Sequence, residues 1–205
     1  MPVVLQMKTD AFEVLVWKIE ENLEFFLKDV CLSYVESQDL ANISNEFRKL
    51  EWMASRYVQR QVVKDSLIKD EWGKPNLAKE TGFVSIAHCK DFAAAIYAES
   101  GPVGIDIEPM HEKALRIADK FLNVEELNFI DLNNQVEHII ASWCVKEAVY
   151  KWYGKRSLSF KNNIKMRSFP SGDAKVIVDF ERDDLLAIRE VHVLKIKNCM
   201  LAFTF

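Results

Sequence analysis

The sequence predicts an α+β fold, with strands and at least one long helix in each half of the chain. Segments with alternating or β-branched apolar residues are short, and two longer stretches at residues 47–62 and 136–153 show helical periodicity. These helices and strands do not alternate as regularly as in a βαβ series. The chain has 205 residues, of which 49% are hydrophobic and 28% charged, so a core of useful size can form.

The first half, residues 1–102, is predicted to combine several strands with one long helix. Residues 13–20 (EVLVWKIE) are partly alternating and β-branched, as is typical of a strand. The predicted elements are, in order, a strand at residues 13–20, a short helix at 23–29, a helix that follows Ser44 and runs from Phe47 to Val62, a turn region at 70–77, and strands at 83–87 and 92–98 joined by a tight link at 88–91.

The second half, residues 103–205, begins after the break at residues 100–102 (SGP). Its longest element is the helix at residues 136–153. The predicted elements are, in order, a strand at residues 103–108 that Pro109 ends, helices at 114–121, 125–132 and 136–153, a strand at 173–180, and two final strands over 191–205 with a hairpin-like break near Asn198.

Composition argues against several classes of partner. The net charge of −4 gives no sequence-wide basic footprint for nucleic acid. No uncharged apolar run approaches the roughly 18–20 residues that a membrane span needs. The first residues lack the charged segment and cleavage site of a signal peptide. We therefore expect a cytoplasmic protein that binds neither nucleic acid nor a membrane.

The four cysteines form no CxxC pair and have no histidine cluster beside them. Their apolar neighbours favour buried, reduced thiols, which agrees with a cytoplasmic location. They are Cys31, Cys89, Cys144 and Cys199.

Two carboxylates mark the strand at residues 104–108 (GIDIE). Because strand side chains alternate between faces, Asp106 and Glu108 point to one side and Ile105 and Ile107 to the other. Carboxylates spaced in this way lie about 7 Å apart, a distance that one hard cation can bridge. Taken alone, the same pattern also fits an edge strand with a solvated acidic face.

A third carboxylate lies on the long helix, in residues 143–151 (WCVKEAVYK). Trp143, Glu147 and Lys151 are four residues apart in sequence, so they share one side of the helix. Three acids beside lysines point to chemistry on a phosphate-bearing substrate. Taken alone, Glu147 and Lys151 also fit a surface ion pair.

Several basic residues of the first half are candidates for phosphate binding. Lys74 lies in a stiff Gly-Lys-Pro turn, His88 follows a strand, and Arg48 and Arg56 lie on the early helix. Each of them also fits an ordinary structural or solvated residue. The sequence contains no Walker loop and no GxGxxG, GxSxG or HExxH motif.

Taken in order, these segments resemble the 4′-phosphopantetheinyl transferase family. The family pattern runs GKP, a strand ending in ISHS, G(I/V)DIE, and W-x-x-KEA/S-x-x-K. Here the corresponding segments are residues 73–75 (GKP), 86–89 (IAHC), 104–108 (GIDIE) and 143–151, and residues 120–122 (KFL) resemble a further family stretch. The joint order and spacing make this resemblance far more specific than any single motif.

The resemblance implies a transferase that moves the phosphopantetheine arm of coenzyme A onto a serine of an apo acyl or peptidyl carrier protein, as in fatty acid biosynthesis. The by-product is 3′,5′-ADP, and the reaction depends on Mg²⁺. The length of the chain is similar to that of the longer type in the family, which implies a monomer. Its two similar α+β halves would be related by a pseudo-twofold axis, with the active site at their junction.

The resemblance also implies roles for individual residues. Asp106, Glu108 and Glu147 would hold Mg²⁺ in the second half, and Glu147 would be the base for the serine hydroxyl. Lys151 would stabilise the phosphate oxygens as a catalytic and substrate-binding residue. The remaining residues implied to bind coenzyme A are Lys146, Lys74, His88, Arg48 and Arg56, with the last four at its nucleotide end.

Two departures from the family pattern keep a second hypothesis open. Ala87 and Cys89 flank His88 where the family has serines, so a hydroxyl that could bind the nucleotide phosphate is missing, a change worth about 0.5–1.5 kcal/mol. They motivate a non-catalytic coenzyme A-binding or carrier-binding protein on the same fold as the alternative. The three acids and Lys151 favour the enzyme, since a binder does not need them.

Overall fold

The computed structural model describes residues 2–79, 81–172 and 174–205. In this part of the chain the backbone forms two compact units, one that runs to Val103 and includes Phe205, and one formed by Gly104–Thr204. Each unit combines antiparallel strands with a long helix, which confirms the predicted α+β class. The pseudo-twofold relation, the site at the junction and the separate roles of the two halves stay predictions.

The first unit is an antiparallel sheet with one long helix packed on it. Its elements are β1 (Val3–Lys8), β2 (Glu13–Lys18), α1 (Leu23–Asp29), α2 (Tyr34–Ala41), α3 (Glu46–Val62), β3 (Leu67–Lys69), β4 (Pro75–Leu77), β5 (Phe83–Cys89) and β6 (Phe92–Ala98). The strand order is β1-β2-β6-β5, and β3 and β4 form a separate hairpin. Met53, Ala54 and Val58 of α3 are fully buried in the core above the sheet.

Local hydrogen bonds decide where α3 and β5 begin and end. Asn45 caps α3, because its side-chain oxygen accepts the backbone N–H of Arg48 at 3.1 Å. The prediction of a link at residues 88–91 is wrong for its first half. His88 and Cys89 pair with Ala93 and Phe92, so β5 continues through them. The strand β2 and the helix α1 are confirmed.

The second unit is a five-stranded antiparallel sheet with α6 packed against it. Its elements are β7 (Gly104–Pro109), a 3₁₀ turn (Glu112–Arg116), α4 (Ala118–Phe121), α5 (Val124–Asn128), a second 3₁₀ turn (Leu132–Asn134), α6 (Gln135–Tyr153), α7 (Phe160–Asn163), β8 (Ile164–Met166), β9 (Ala174–Arg182), β10 (Leu185–Ile196) and β11 (Cys199–Thr204). The strand order is β7-β11-β10-β9-β8, which puts β7 at one edge.

The long helix and the final hairpin of this unit are confirmed, whereas the single helix predicted at residues 114–121 is wrong. The backbone leaves the helical region at Ile117, so this segment is a 3₁₀ turn followed by α4. Helix α6 ends where Gly154 adopts a left-handed conformation with φ 77°. Asp173, the first residue of one predicted strand, lies outside the described residues, and that strand, β9, continues to Arg182.

The expectation of buried thiols holds for three cysteines and is wrong for Cys31, which is exposed. Cys89, Cys144 and Cys199 are buried. Among the helices of the described residues, none is both long and apolar enough to cross a membrane.

Candidate active site

The candidate site of the second unit depends on a close approach between β7 and α6. A Cβ atom at Gly104 would lie 1.9 Å from the carbonyl oxygen of Ala148 and 2.7 Å from the backbone nitrogen of Trp152. Both atoms belong to the helix backbone and cannot rotate away. Glycine at this position therefore allows the acidic strand to lie directly against the acidic helix.

The predicted alternation along β7 is present. Ile105 and Ile107 are 0% and 1% exposed and point into the core. Asp106 and Glu108 point to the other side, where Asp106 is 6% exposed and Glu108 is partly exposed. The strand thus presents two carboxylates toward α6, one buried and one nearer to solvent.

Lys151 of α6 joins the helix to this strand. Its ammonium group donates hydrogen bonds to Oδ1 of Asp106 at 2.8 Å and to the carbonyl oxygen of Ile105 at 2.9 Å. Among the residues that the structure describes, Oδ2 of Asp106 is buried and has no hydrogen-bond partner. One oxygen of this buried carboxylate is therefore left to bind a further positive group.

Glu108 and Glu147 both have a raised pKa in this cluster. Burial, followed by the charge of Asp106, raises the pKa of each carboxyl to about 7, and Lys151 partly offsets the shift. The indole N–H of Trp143 also donates a hydrogen bond to Glu108. Both carboxylates can therefore exchange a proton near neutral pH, which suits an acid–base role.

Cys144 lies beneath the cluster and is not a nucleophile candidate. Its Sγ donates to the carbonyl oxygen of Met200 at 3.4 Å, and the side chain is fully buried. Burial, together with the charges of Asp106 and Glu108, holds the pKa of this thiol well above its ordinary value. It stays protonated at neutral pH.

The donor set of the cluster fits a hard divalent cation. Asp106, Glu108 and Glu147 supply carboxylate oxygens, and Oδ2 of Asp106 has no other partner in the described part of the chain. Within the same described residues, no three His, Cys, Asp or Glu side chains are already arranged to hold a metal ion. The chemistry of the residues fits Mg²⁺, while Lys151 occupies one of the Asp106 oxygens.

The contacts of Lys146 contradict its predicted role in binding the substrate. Its side chain is 0% exposed, and its ammonium group donates to Oε1 of Glu126 at 2.8 Å, to the carbonyl of Phe160 at 2.8 Å and to that of Ile164 at 2.6 Å. These three acceptors use all of its N–H donors, so none is left for a substrate phosphate. Lys146 instead connects α6 to α5 and to the segment around α7.

The first unit contains a cleft of about 700 Å³ that includes two of the residues predicted to bind the nucleotide. Arg48 and His88 line it, and Nδ1 of His88 lies 3.5 Å from the Glu51 carboxylate. The remaining lining residues are Asn42, Ile43, Ser44, Asn45 and Trp52. The lining therefore combines cationic, amide, hydroxyl and aromatic side chains, which can bind a phosphorylated nucleoside, with the carboxylate of Glu51.

Lys74 and Arg56 lie outside the described lining of this cleft. Lys74 is held by a turn in which Asp70 accepts its backbone N–H at 2.9 Å, and burial lowers its pKa. Arg56 is 5% exposed, its guanidinium lies 4.2 Å from the ring centroid of Trp52, and burial lowers its pKa to about 10. Arg56 is therefore a buried residue that packs against Trp52.

Sequence reasoning did not find Glu51, His111 or the supporting role of Trp143. Trp143 could have been found, since it is four residues from Glu147 on the same helix. A small pocket of about 210 Å³ beside Glu108 includes His111 and Trp143 with four apolar side chains. Its other lining residues are Ala114, Ile117, Phe121 and Ile140.

Comparison with known proteins gives a family match over the second unit. Residues 102–198 match the sequence model of the 4′-phosphopantetheinyl transferase superfamily. A similar curated protein is the 4′-phosphopantetheinyl transferase gsp of Aneurinibacillus migulanus, which is 32% identical over 90 residues. The match covers 42% of this chain and spans 37% of the length of that relative. The resemblance to this family is thus confirmed over the segment that contains β7 and α6.

Proposed function

We propose that this protein transfers the 4′-phosphopantetheine arm of coenzyme A to a serine of an apo acyl or peptidyl carrier protein and releases 3′,5′-ADP, in a Mg²⁺-dependent reaction. The observation that carries the proposal is the cluster of Asp106, Glu108, Glu147 and Lys151, which lies inside the segment that matches the transferase superfamily. We further propose that the protein acts as a cytoplasmic monomer.

In this proposal the acidic cluster serves the diphosphate of coenzyme A. Asp106, Glu108 and Glu147 would hold Mg²⁺. When bound, the ion neutralises charge on the diphosphate as the phosphoanhydride bond breaks. The unpartnered Oδ2 of Asp106 supports this role, because a buried carboxylate oxygen is otherwise expensive to leave without a partner.

Glu147 is the proposed general base. The carrier serine oxygen attacks the phosphorus that bears the pantetheine arm, the phosphoanhydride bond breaks, and 3′,5′-ADP leaves with the bonding electrons. Glu147 takes the serine proton directly or through a water molecule. Its pKa of about 7 supports this role, since the group is poised to accept a proton at neutral pH.

Lys151 and the cleft of the first unit would bind the charged parts of the substrate. The Lys151 ammonium group would stabilise phosphate oxygens, and Arg48, His88 and Lys74 would bind the nucleotide end. Arg56 would act indirectly, because its guanidinium packs against the ring of Trp52, which lines the cleft.

The alternative, a non-catalytic coenzyme A-binding or carrier-binding protein, is less well supported. A binder has no need for two carboxylates whose burial holds their pKa near 7 beside a third, buried carboxylate. Such groups are costly to bury and are typical of functional sites. The alternative remains an outcome of the experiment.

The experiment compares release of 3′,5′-ADP by the wild type, Glu147→Gln and Asp106→Asn, with coenzyme A, Mg²⁺ and an apo carrier protein. Each substitution keeps the side-chain volume and removes the charge. We expect each to lower kcat by about a hundredfold or more. Glu137→Gln on the same helix is the control and should retain wild-type turnover. Substantial turnover of Glu147→Gln would remove Glu147 from the role of base.

A further inference from the structure

The acidic cluster contains its own cation. Lys151 lies 2.8 Å from Oδ1 of Asp106, and the Asp106 side chain is 8% exposed whereas that of Lys151 is 28% exposed. A buried carboxylate needs a compensating positive charge, and Lys151 supplies it. The partner of Asp106 thus comes from the protein itself.

The second oxygen of Asp106 shows that the pairing is incomplete. Oδ2 is buried and has no hydrogen-bond partner among the described residues, although the ammonium group bonds Oδ1 and the carbonyl oxygen of Ile105. The carboxylate can therefore accept one more cation. A divalent ion at this oxygen would, however, lie near the ammonium charge, and like charges repel strongly where burial limits solvent screening.

A diphosphate would relieve this repulsion. Its negative oxygens can bind the metal and Lys151 at the same time, so that each positive charge has an anionic neighbour. The metal ion and the diphosphate should then bind more tightly together than either does alone. Such coupling is reciprocal, because each ligand strengthens the other by the same factor.

We propose that Lys151 is the resident counter-ion of the acidic cluster and makes metal binding depend on the diphosphate of the substrate. The inference rests on the proposed function, since it takes Asp106 as a metal ligand and coenzyme A as the substrate. It adds a binding dependence to that function. The metal ion alone binds weakly, and it binds tightly only when coenzyme A is also bound.

The test measures Mg²⁺ affinity by isothermal titration calorimetry, with and without saturating coenzyme A and with no carrier present. For the wild type we expect coenzyme A to tighten Mg²⁺ binding about tenfold. For Lys151→Gln we expect Mg²⁺ alone to bind several-fold more tightly and the effect of coenzyme A to shrink toward none. Lys155→Gln, an exposed lysine just beyond α6, is the matched control and should behave as the wild type.

Two further variants separate this inference from the proposed function. Asp106→Asn should abolish Mg²⁺ binding, and if it does not, the proposed metal site is wrong. If Asp106→Asn abolishes binding while Lys151→Gln leaves both affinities unchanged, only the counter-ion role of Lys151 is wrong. Lys151→Arg keeps the charge and should keep the dependence on coenzyme A.

Loss of Lys151 also predicts a change that does not involve substrate. Without its counter-ion the metal-free cluster is destabilised, so Lys151→Gln should unfold at a lower temperature in EDTA and regain stability in Mg²⁺ more strongly than the wild type. If Lys151→Gln does not fold without metal, the test is whether added Mg²⁺ restores its folding. Absence of that recovery would overturn the proposal.

Discussion

At the residue scale, Glu108 and Glu147 link protein stability to pH. Burial is the main cause that raises the pKa of each carboxyl from 4.5 to about 7. The folded state therefore binds more protons than the unfolded state between these values. By linkage, the contribution of each of these carboxyl groups to the free energy of unfolding is fully present below about pH 4.5 and is lost as the pH rises through about 7.

This linkage predicts the behaviour of Glu147→Gln. We expect the wild type to lose about 1–3 kcal/mol per carboxylate in free energy of unfolding between about pH 5 and about pH 8, and the variant to lose correspondingly less. Urea denaturation without metal at several pH values measures the difference. Glu181→Gln, an exposed residue on β9, should follow the wild-type curve, and a Glu147→Gln curve parallel to the wild type would contradict the raised pKa.

Single residues also show how far the sequence could assign the site. For Asp106 and Glu108 on the strand, and for Glu147 and Lys151 on the helix, spacing predicted which side chains share a face. Their proposed roles come from the family resemblance. The prediction for Lys146 failed, since its role depends on Glu126, which lies twenty residues earlier and is brought beside it only by the fold. Spacing identifies faces, whereas burial decides which face meets a substrate.

At the scale of elements, the contact between β7 and α6 depends on Gly104. In Gly104→Ala the new methyl group would overlap the helix backbone at Ala148 and Trp152. We expect a loss of about 3 kcal/mol or more in free energy of unfolding and a displaced acidic cluster. Gly101→Ala is the control, because its Cβ would meet open space and the only expected cost is the strain of its φ of 84°, about 1–2 kcal/mol. Equal losses in the two variants would refute the close-contact explanation.

A buried ion pair connects α6 to α5. Lys146→Met leaves the carboxylate of Glu126, which is 1% exposed, without a counter-ion, and we expect a loss of about 3–5 kcal/mol in free energy of unfolding. Adding Glu126→Gln should recover a large part of this loss. Chemical denaturation of the wild type, both single variants and the double variant gives the free energies of unfolding for a double-mutant cycle. Additive losses would show that the two groups do not act as a pair.

The sequence predicted elements best where one local pattern was sufficient. Helix α6 has a long apolar pattern and a terminal glycine, so its end was found to the residue. Helix α2 was missed because it is short and polar. It depends on Glu36, which caps its first turn from within and also pairs with Arg60 of α3 at 2.9 Å. That second contact is long-range and leaves no trace in the local pattern.

At the scale of the whole molecule, the proposed function requires a protein with a net charge of −4 to bind a carrier that the family resemblance implies is acidic around its serine. Lys113, Arg116 and Lys120 are exposed on the segment after β7, and we propose that they bind the carrier. Reversing their charges should raise the KM for the carrier about tenfold at low salt and leave kcat unchanged. Lys175→Glu on β9 is the control, and an unchanged KM in the triple variant would exclude this face as the docking site.

The measurement that tests the central claim most directly is the intact mass of an apo carrier protein after incubation with this protein, coenzyme A and Mg²⁺. The account predicts that the carrier gains the mass of one phosphopantetheine arm, and that EDTA or Glu147→Gln prevents the gain. No gain with fatty-acid, polyketide and peptide-synthetase carriers, while coenzyme A still binds, would contradict the transferase and favour the non-catalytic alternative.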